Sequence, residues 1–350
     1  MKKLNLILGI ALLLFTSCKD TPVLESTENP NAAILLNEGN WNLNDASLSS
    51  LDLDGNITNG LFAARNHRGL GDVAQDLQRY GNKIYTVVTY SNTVEVTDLN
   101  LNSIKQISLP NRLPRYIAFH DGKAYVSCYD HNILRLDTAT LEVEAVCPVT
   151  GLNPEGLAIQ NGHIFVAHGW EYSDQGAYGT IYDSTLSVID LATFTETGHI
   201  TLGINPSKII SVDENTIAIL TLGDYGASQP SLWLLNTRTL QPTNTHQPAA
   251  GICVSDGILY GYQATYDFQT YSNIVSFFTL NPATPTTPEP LTISHTFTDP
   301  YCIAVNPQNG QILIANSPYG SLGDLYCFTP QGEPLWNVET GYYPSRILFL

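Results

Sequence analysis

Along the chain, short runs that alternate apolar and polar residues end on an acid or its amide. They read "LSSLD" to Asp52, "VEVTD" to Asp98, "ILRLD" to Asp137, "LSVID" to Asp190, "LWLLN" to Asn236 and "FFTLN" to Asn281, with "LYCFT" to Thr329 as a degenerate seventh copy. A period of two predicts strands, not helices. The copies recur at intervals of 39 to 53 residues, so the pattern is an internal repeat. A second element keeps step with the first, a turn followed by an apolar strand: "GNKIYTVV", "GKAYVSC", "GHIFVA", "NTIAIL", "GILYGY" and "GQILIAN". Before several of these lies a Pro-led strand ("LPRYIAF", "NPEGLAI", "NPSKIIS", "DPYCIAV"), and proline is tolerated at a strand's entrance. With a weaker fourth strand after each acid ("LEVEAVCPV", "FTETGHITL"), each unit holds four strands in about 45 residues, which is the signature of a propeller blade.

The two ends fit the same scheme. "YYPSRILFL" reads as a Pro-led first strand with nothing after it, and "NAAILLNEGNW" as a second strand with no first. Joined, they complete a blade. The expected fold is therefore all-β, a seven-bladed propeller of four-stranded blades over 32–350, with the ring closed by a blade shared between the termini. The competing reading is a pair of β-sandwiches with coincidental periodicity.

Composition supports many short strands joined by turns: 43% hydrophobic and only 13% charged residues, with 19 Tyr, 26 Gly and 20 Pro. The first 17 residues read separately, because Lys2 and Lys3 precede an apolar run from Leu4 to Phe15 and then Thr16-Ser17-Cys18. That is a secretory signal, and the run is short for a bilayer span. Ending at a cysteine after small residues, it resembles a bacterial lipoprotein signal, which implies cleavage and lipidation of Cys18; Phe15 replaces the usual leucine. Residues 18–31, polar and proline-containing, read as a tether.

The net charge of −17 becomes more negative once the two signal lysines are removed, so nucleic acid is excluded as a partner, because phosphate binding needs a basic footprint. The five cysteines beyond Cys18 (Cys128, Cys147, Cys253, Cys302, Cys327) form no CxxC pair and no disulfide framework, and they read as small buried hydrophobes. The eight histidines show no metal-ligand spacing, so no metal site is expected. "DLDGN" at 52–56 is a hairpin turn without the remaining ligands of a calcium loop.

With strands lettered A to D from axis to rim, the B-to-C loops and the D-to-A connectors share one face. "HGWEYSDQGAYGTIYDS" (168–184) is then a long B-to-C insertion in blade four, and the segment around 266–273 is another in blade six. Such insertions are often functional. The expected binding face holds Trp41, Tyr90, Tyr129, Trp170, Tyr172, Tyr178, Tyr225, Tyr266, Tyr271 and Tyr319 from B-to-C loops. Tyr116, Tyr301 and Tyr343 join them from the connectors, with Asp130 and Asp174 among the interleaved polar groups. Tyrosine and tryptophan offer rigid contact area with a polar tip, which suits a large, amphiphilic ligand. Near the axis, Asp72, Arg115, Glu155, Ser207, Tyr301 and Ser345 should open the A strands, with Arg115 and Glu155 close enough to pair. Glu155 or Asp72 would be the general base of an enzymatic reading, but no nucleophile elbow or Ser/His/Asp signature accompanies them, and no catalytic residue is assigned.

The blade pattern, the shared blade and the lipoprotein signal together resemble the YncE-like seven-bladed propellers found as surface lipoproteins in Bacteroidetes, over essentially all of 32–350. Within that group, "ILLNEGNW", "HGWEYSDQGAYG" and "NSPYG" resemble the BtuG-type proteins. That resemblance implies capture of cobalamin or a related corrinoid, as a transported ligand and not a cofactor, with hand-over to a TonB-dependent outer-membrane transporter. It also implies an outer-membrane location, lipid-anchored and facing the cell exterior, and no enzymatic activity. A glycan-binding surface lipoprotein is the alternative, followed by a propeller lyase or lactonase and by a scaffold for a membrane protein.

Overall fold

The computed structural model describes residues 32–52, 54–173 and 179–350. Among these, seven four-stranded antiparallel sheets form the blades of a propeller, with one extra two-stranded ribbon and one short helix, Leu61–Asn66. Blades two to seven each run A to D in chain order. Blade one is composite: its strand A is the C-terminal strand Pro344–Phe349, which pairs antiparallel with Ala32–Asn37, so the ring closes without a covalent link. The innermost strands touch their neighbours all the way round: Ala74–Tyr80, Pro114–His120, Pro154–Gln160, Pro206–Ser211, Gly251–Ser255, Pro300–Val305 and Pro344–Phe349.

Side-chain alternation explains the stacking. In Lys83–Val88, Ile84 and Val88 pack toward blade one while Tyr85 and Val87 pack toward blade three. Both faces of each B strand are thus buried between blades, so these strands read as nearly continuous apolar runs. At the rim, Ser103–Ser108 and Val143–Pro148 are largely exposed on one face, because only one side has a neighbour. A separate apolar cluster fills every blade junction; Leu35 and Leu51 meet Leu313 and Leu325 where the termini join. Each fully buried Leu or Ile contributes roughly 1.5–3 kcal/mol by leaving water.

The repeated acid has a local cause. Asp98 Oδ1 accepts the backbone N–H groups of Asn100 and Asn102 at 2.9 and 2.8 Å, and Asp137 does the same for Ala139 and Thr140 at 2.9 and 2.7 Å. Asn236 substitutes with its amide oxygen, and Thr329 accepts weakly from Gln331 and Glu333 at 3.3 and 3.2 Å. Each is the side-chain-capped turn that joins strand C to strand D. The acids are therefore structural: their turn bonds hold the carboxyls of Asp52 and Asp190 below their ordinary range, and the Lys123 ammonium, followed by the turn bonds, does so for Asp137. The five cysteines in the described region are unpaired, and only Cys253 is not fully buried.

Candidate functional site

A bulge at the start of strand A builds the axial part of the site. In six blades the register against strand B slips there: between Ala74 and Asp76, Pro114 and Ile117, Pro154 and Leu157, Pro206 and Ile209, Pro300 and Cys302, and around Ser345. A bulge bends the strand and re-aims side chains. The residues placed in these bulges include Gln75, Arg115, Tyr116, Glu155, Ser207, Lys208, Tyr301 and Ser345. Blade six pairs regularly from Gly251 and contributes no such side chain.

Arg115 and Glu155 meet here across adjacent blades. The guanidinium donates to Glu155 at 3.1 and 3.3 Å and to Gln75 Oε1 at 2.6 Å, and it lies 4.7 Å from the centre of the Tyr129 ring. Tyr129 donates its hydroxyl to the same carboxylate, and Gln75 donates to the Tyr116 hydroxyl at 3.1 Å. Burial alone would lower the arginine's pKa, but the Glu155 charge beside it wins and raises it. Both Glu155 oxygens are thus already engaged within the protein.

Asp72, expected to open strand A of blade two, does not. The strand begins at Ala74, and the axial position belongs to Gln75. Asp72 instead accepts the backbone N–H of Asn42 at 3.0 and 3.1 Å, bracing the first B-to-C loop. The segment has no leading proline to mark its bulge. Tyr116 and Tyr301, expected in connectors, lie within strand A for the same geometric reason.

Above the axis, Trp41, Tyr90, Tyr301, Tyr319 and Tyr343 line a depression of about 580 Å³ together with Glu38, Asn40, Leu43 and Val73. Trp41 is 66% exposed and Tyr319 is 95% exposed, so neither serves as core. Trp41 and Tyr90 lie 6.1 Å apart, and Tyr301 and Tyr343 lie 5.8 Å apart. At the floor, Tyr301 donates to Glu38 Oε2 at 2.8 Å. Burial pushes the Glu38 carboxyl up to about 7, against the lowering effect of that bond. Below lies a smaller axial cavity of about 200 Å³, which shares Glu38 and Tyr301 with the depression. Its lower border is Arg346, bonded to Asp76 at 2.9 Å. Arg346 also borders a third cavity, lined by Phe119, Ile159 and Ile210.

The other expected residues form separate groups. Trp170 packs edge-on against Tyr172 at 5.0 Å on the ribbon formed by Trp170–Tyr172 and Thr180–Tyr182. The 168–184 segment, read from sequence as a long loop, is thus partly a β-ribbon. Glu171 of that ribbon reaches His131 at 3.0 Å in blade three. Tyr225 lies 6.4 Å from Tyr182. Tyr266 and Tyr271 sit on the blade-six hairpin, whose strands Ile258–Asp267 and Ser272–Leu280 extend beyond the sheet, and Tyr266 packs on Phe268 at 5.0 Å. Asp130 is engaged by Arg112 at 2.6 Å. Asp174, Tyr178 and Cys18 lie outside the described residues. Glu38, Gln75 and Lys208 are not among the residues expected from sequence: blade two has no leading proline to mark its bulge, and in blade five Pro206 marks the strand without showing that Lys208 as well as Ser207 lines the axis.

Among the described residues, no group of His, Cys, Asp and Glu is arranged to hold a metal ion. No helix there is long and apolar enough to cross a membrane.

The family described as a domain of unknown function, DUF5074, matches residues 31–350, the whole propeller. The chain belongs to the DUF5074 family. No curated protein matches this DUF5074 chain. Among solved structures, it is similar to a quinoprotein alcohol dehydrogenase-like protein from Bacteroides thetaiotaomicron, at 14% identity and a TM-score of 0.62, over 90% of this chain and 77% of that one. It is also similar to the computationally designed Ika8 protein, at 10% identity and a TM-score of 0.53, over 79% and 96% of the respective chains. At these identities the likeness shows the propeller fold of the DUF5074 domain and nothing about its ligand.

Proposed function

We propose that this protein is a cell-surface lipoprotein, anchored through Cys18 in the outer membrane, that captures a corrinoid on the aromatic face of its propeller and hands it to a TonB-dependent transporter. The observation that carries the reading is the depression walled by Trp41, Tyr90, Tyr319 and Tyr343 over the Glu38–Tyr301 pair. Its exposed aromatic walls match a broad, partly apolar ring, and Glu38, Asn40 and the tyrosine hydroxyls match the amides that edge such a ring. The engaged state of Glu155 favours binding over turnover, because a carboxylate that accepts three hydrogen bonds from Arg115 and Tyr129 and is paired with a guanidinium is a weak base. The finer resemblance, to YncE-like and BtuG-type propellers, belongs to this proposal and rests on the sequence motifs quoted above.

Calorimetric titration of the purified protein with cyanocobalamin tests the reading. Saturable one-to-one binding, with the absorption spectrum of the recovered ligand unchanged, supports it. Absence of heat at several temperatures, with binding to an oligosaccharide panel instead, replaces it by the glycan reading.

A further inference from the structure

The small axial cavity holds a cation with no ion-pair partner, Glu38 on the same lining being bonded to Tyr301 instead. Lys208 lines it, from the bulge at the start of strand A in blade five. Lys83, Lys105 and Lys123 each donate to a carboxylate or a backbone carbonyl, and the axial arginines Arg115 and Arg346 are paired with Glu155 and Asp76. Lys208 alone among the described lysines has neither a hydrogen bond nor an ion pair. In a chain with 32 acids against 15 basic residues, this is not for want of carboxylates. Partial burial depresses the amine's pKa, which is the cost of withdrawing part of that charge from water. A bound anion would remove that cost.

The walls narrow the kind of anion. Ser207, Ser345 and Tyr116 bring hydroxyls from blades five, one and three beside the charged Glu38 and Arg346, while Leu220, Leu222 and Ala250 add apolar surface from blades five and six that cannot solvate an inorganic oxyanion. Gly251, where blade six contributes no side chain to the axis, also lines the cavity. From the unpaired Lys208 and this mixed polar and apolar lining, we propose that the axial cavity is a second binding site, for a small carboxylate that carries a short hydrocarbon stem. The carboxylate sits on the Lys208 ammonium and the serine hydroxyls, and the stem lies against Leu220 and Leu222. The cavity shares Glu38 and Tyr301 with the aromatic depression above it, but its carboxylate ligand is inferred from Lys208 and not from the corrinoid reading.

The experiment is thermal melting of the purified protein in sodium butyrate, with sodium chloride at equal ionic strength as the reference and inorganic phosphate as a second anion. The expected result is a saturable rise in melting temperature with butyrate, at least threefold larger than with phosphate, and lost in Lys208→Met. Leu222→Glu, which places a carboxylate in the cavity itself, is expected to melt higher than the parent and to lose the butyrate response. This second variant keeps the test decisive should Lys208→Met fail to fold. An equal butyrate response in the parent and the variants, an equal response to phosphate, or none in the parent overturns the proposal. Because cyanocobalamin is absent throughout, none of these results bears on the depression above.

Discussion

Removing Arg115 isolates a charge that the fold has committed to bury. The Glu155 side chain is 7% exposed and that of Arg115 is 14% exposed, and the pair is joined at 3.1 Å with Gln75 and Tyr129 completing the network. Breaking such a pair from one side costs about 3–5 kcal/mol, most of it the cost of the uncompensated partner. At about 1.4 kcal/mol per decade, Arg115→Met should reduce the folding equilibrium constant by roughly two to three orders of magnitude. Glu155→Gln keeps an acceptor for Tyr129 and strands no carboxylate, so it should cost less, about 1–3 kcal/mol. The double variant has no stranded charge and should be more stable than Arg115→Met alone. Urea unfolding of the four proteins, followed by tryptophan fluorescence, closes the cycle. If Arg115→Met lies within about 0.5 kcal/mol of the parent, or if the two single costs simply add, the pair is not a buried structural bridge.

Three further outcomes follow from the same geometry. Trp41→Ala and Tyr319→Ala remove exposed side chains, so unfolding midpoints should hardly move while affinity for cyanocobalamin falls about tenfold or more, read by calorimetry. Glu38 has a native pKa raised from 4.5 to about 7, so between these values the folded state binds the proton more tightly than the unfolded one. Its contribution to stability is therefore full below about pH 4.5 and is lost as pH rises toward 7; Glu38→Gln should flatten the melting profile over that window, and an unchanged slope would contradict the assignment. Gly156→Ala should cost roughly 1–3 kcal/mol in urea unfolding, because a Cβ there would stand 2.5 Å from the Ser207 carbonyl oxygen on the neighbouring inner strand.

How far the fold could be read depended on whether a feature had a local cause. The acid closing each C strand caps its own turn, as Asp98 and Asp137 do, so the repeat is written directly in the chain. The leading prolines mark the inner strands of blades one, three, four, five and seven, and through them the sequence puts Arg115, Glu155, Ser207 and Ser345 at the start of strand A, where the structure has them. Blade two lacks that proline, so the sequence points to Asp72 where the axial residue is Gln75. The ribbon at Trp170–Tyr172 and the helix at Leu61–Asn66 are too short for periodicity to show. Glu38 and Lys208 gain their character from distant residues that surround them only when the ring closes, and no local pattern carries that.

The central claim is one of place: the corrinoid sits in the depression of Trp41, Tyr90, Tyr319 and Tyr343, above the Glu38–Tyr301 pair. A crystal structure of the protein grown with cyanocobalamin tests it most directly. Ligand density over that depression, touching those aromatic side chains, is the result predicted. Density on another face of the propeller, or an empty depression at ligand concentrations far above saturation in solution, would contradict it.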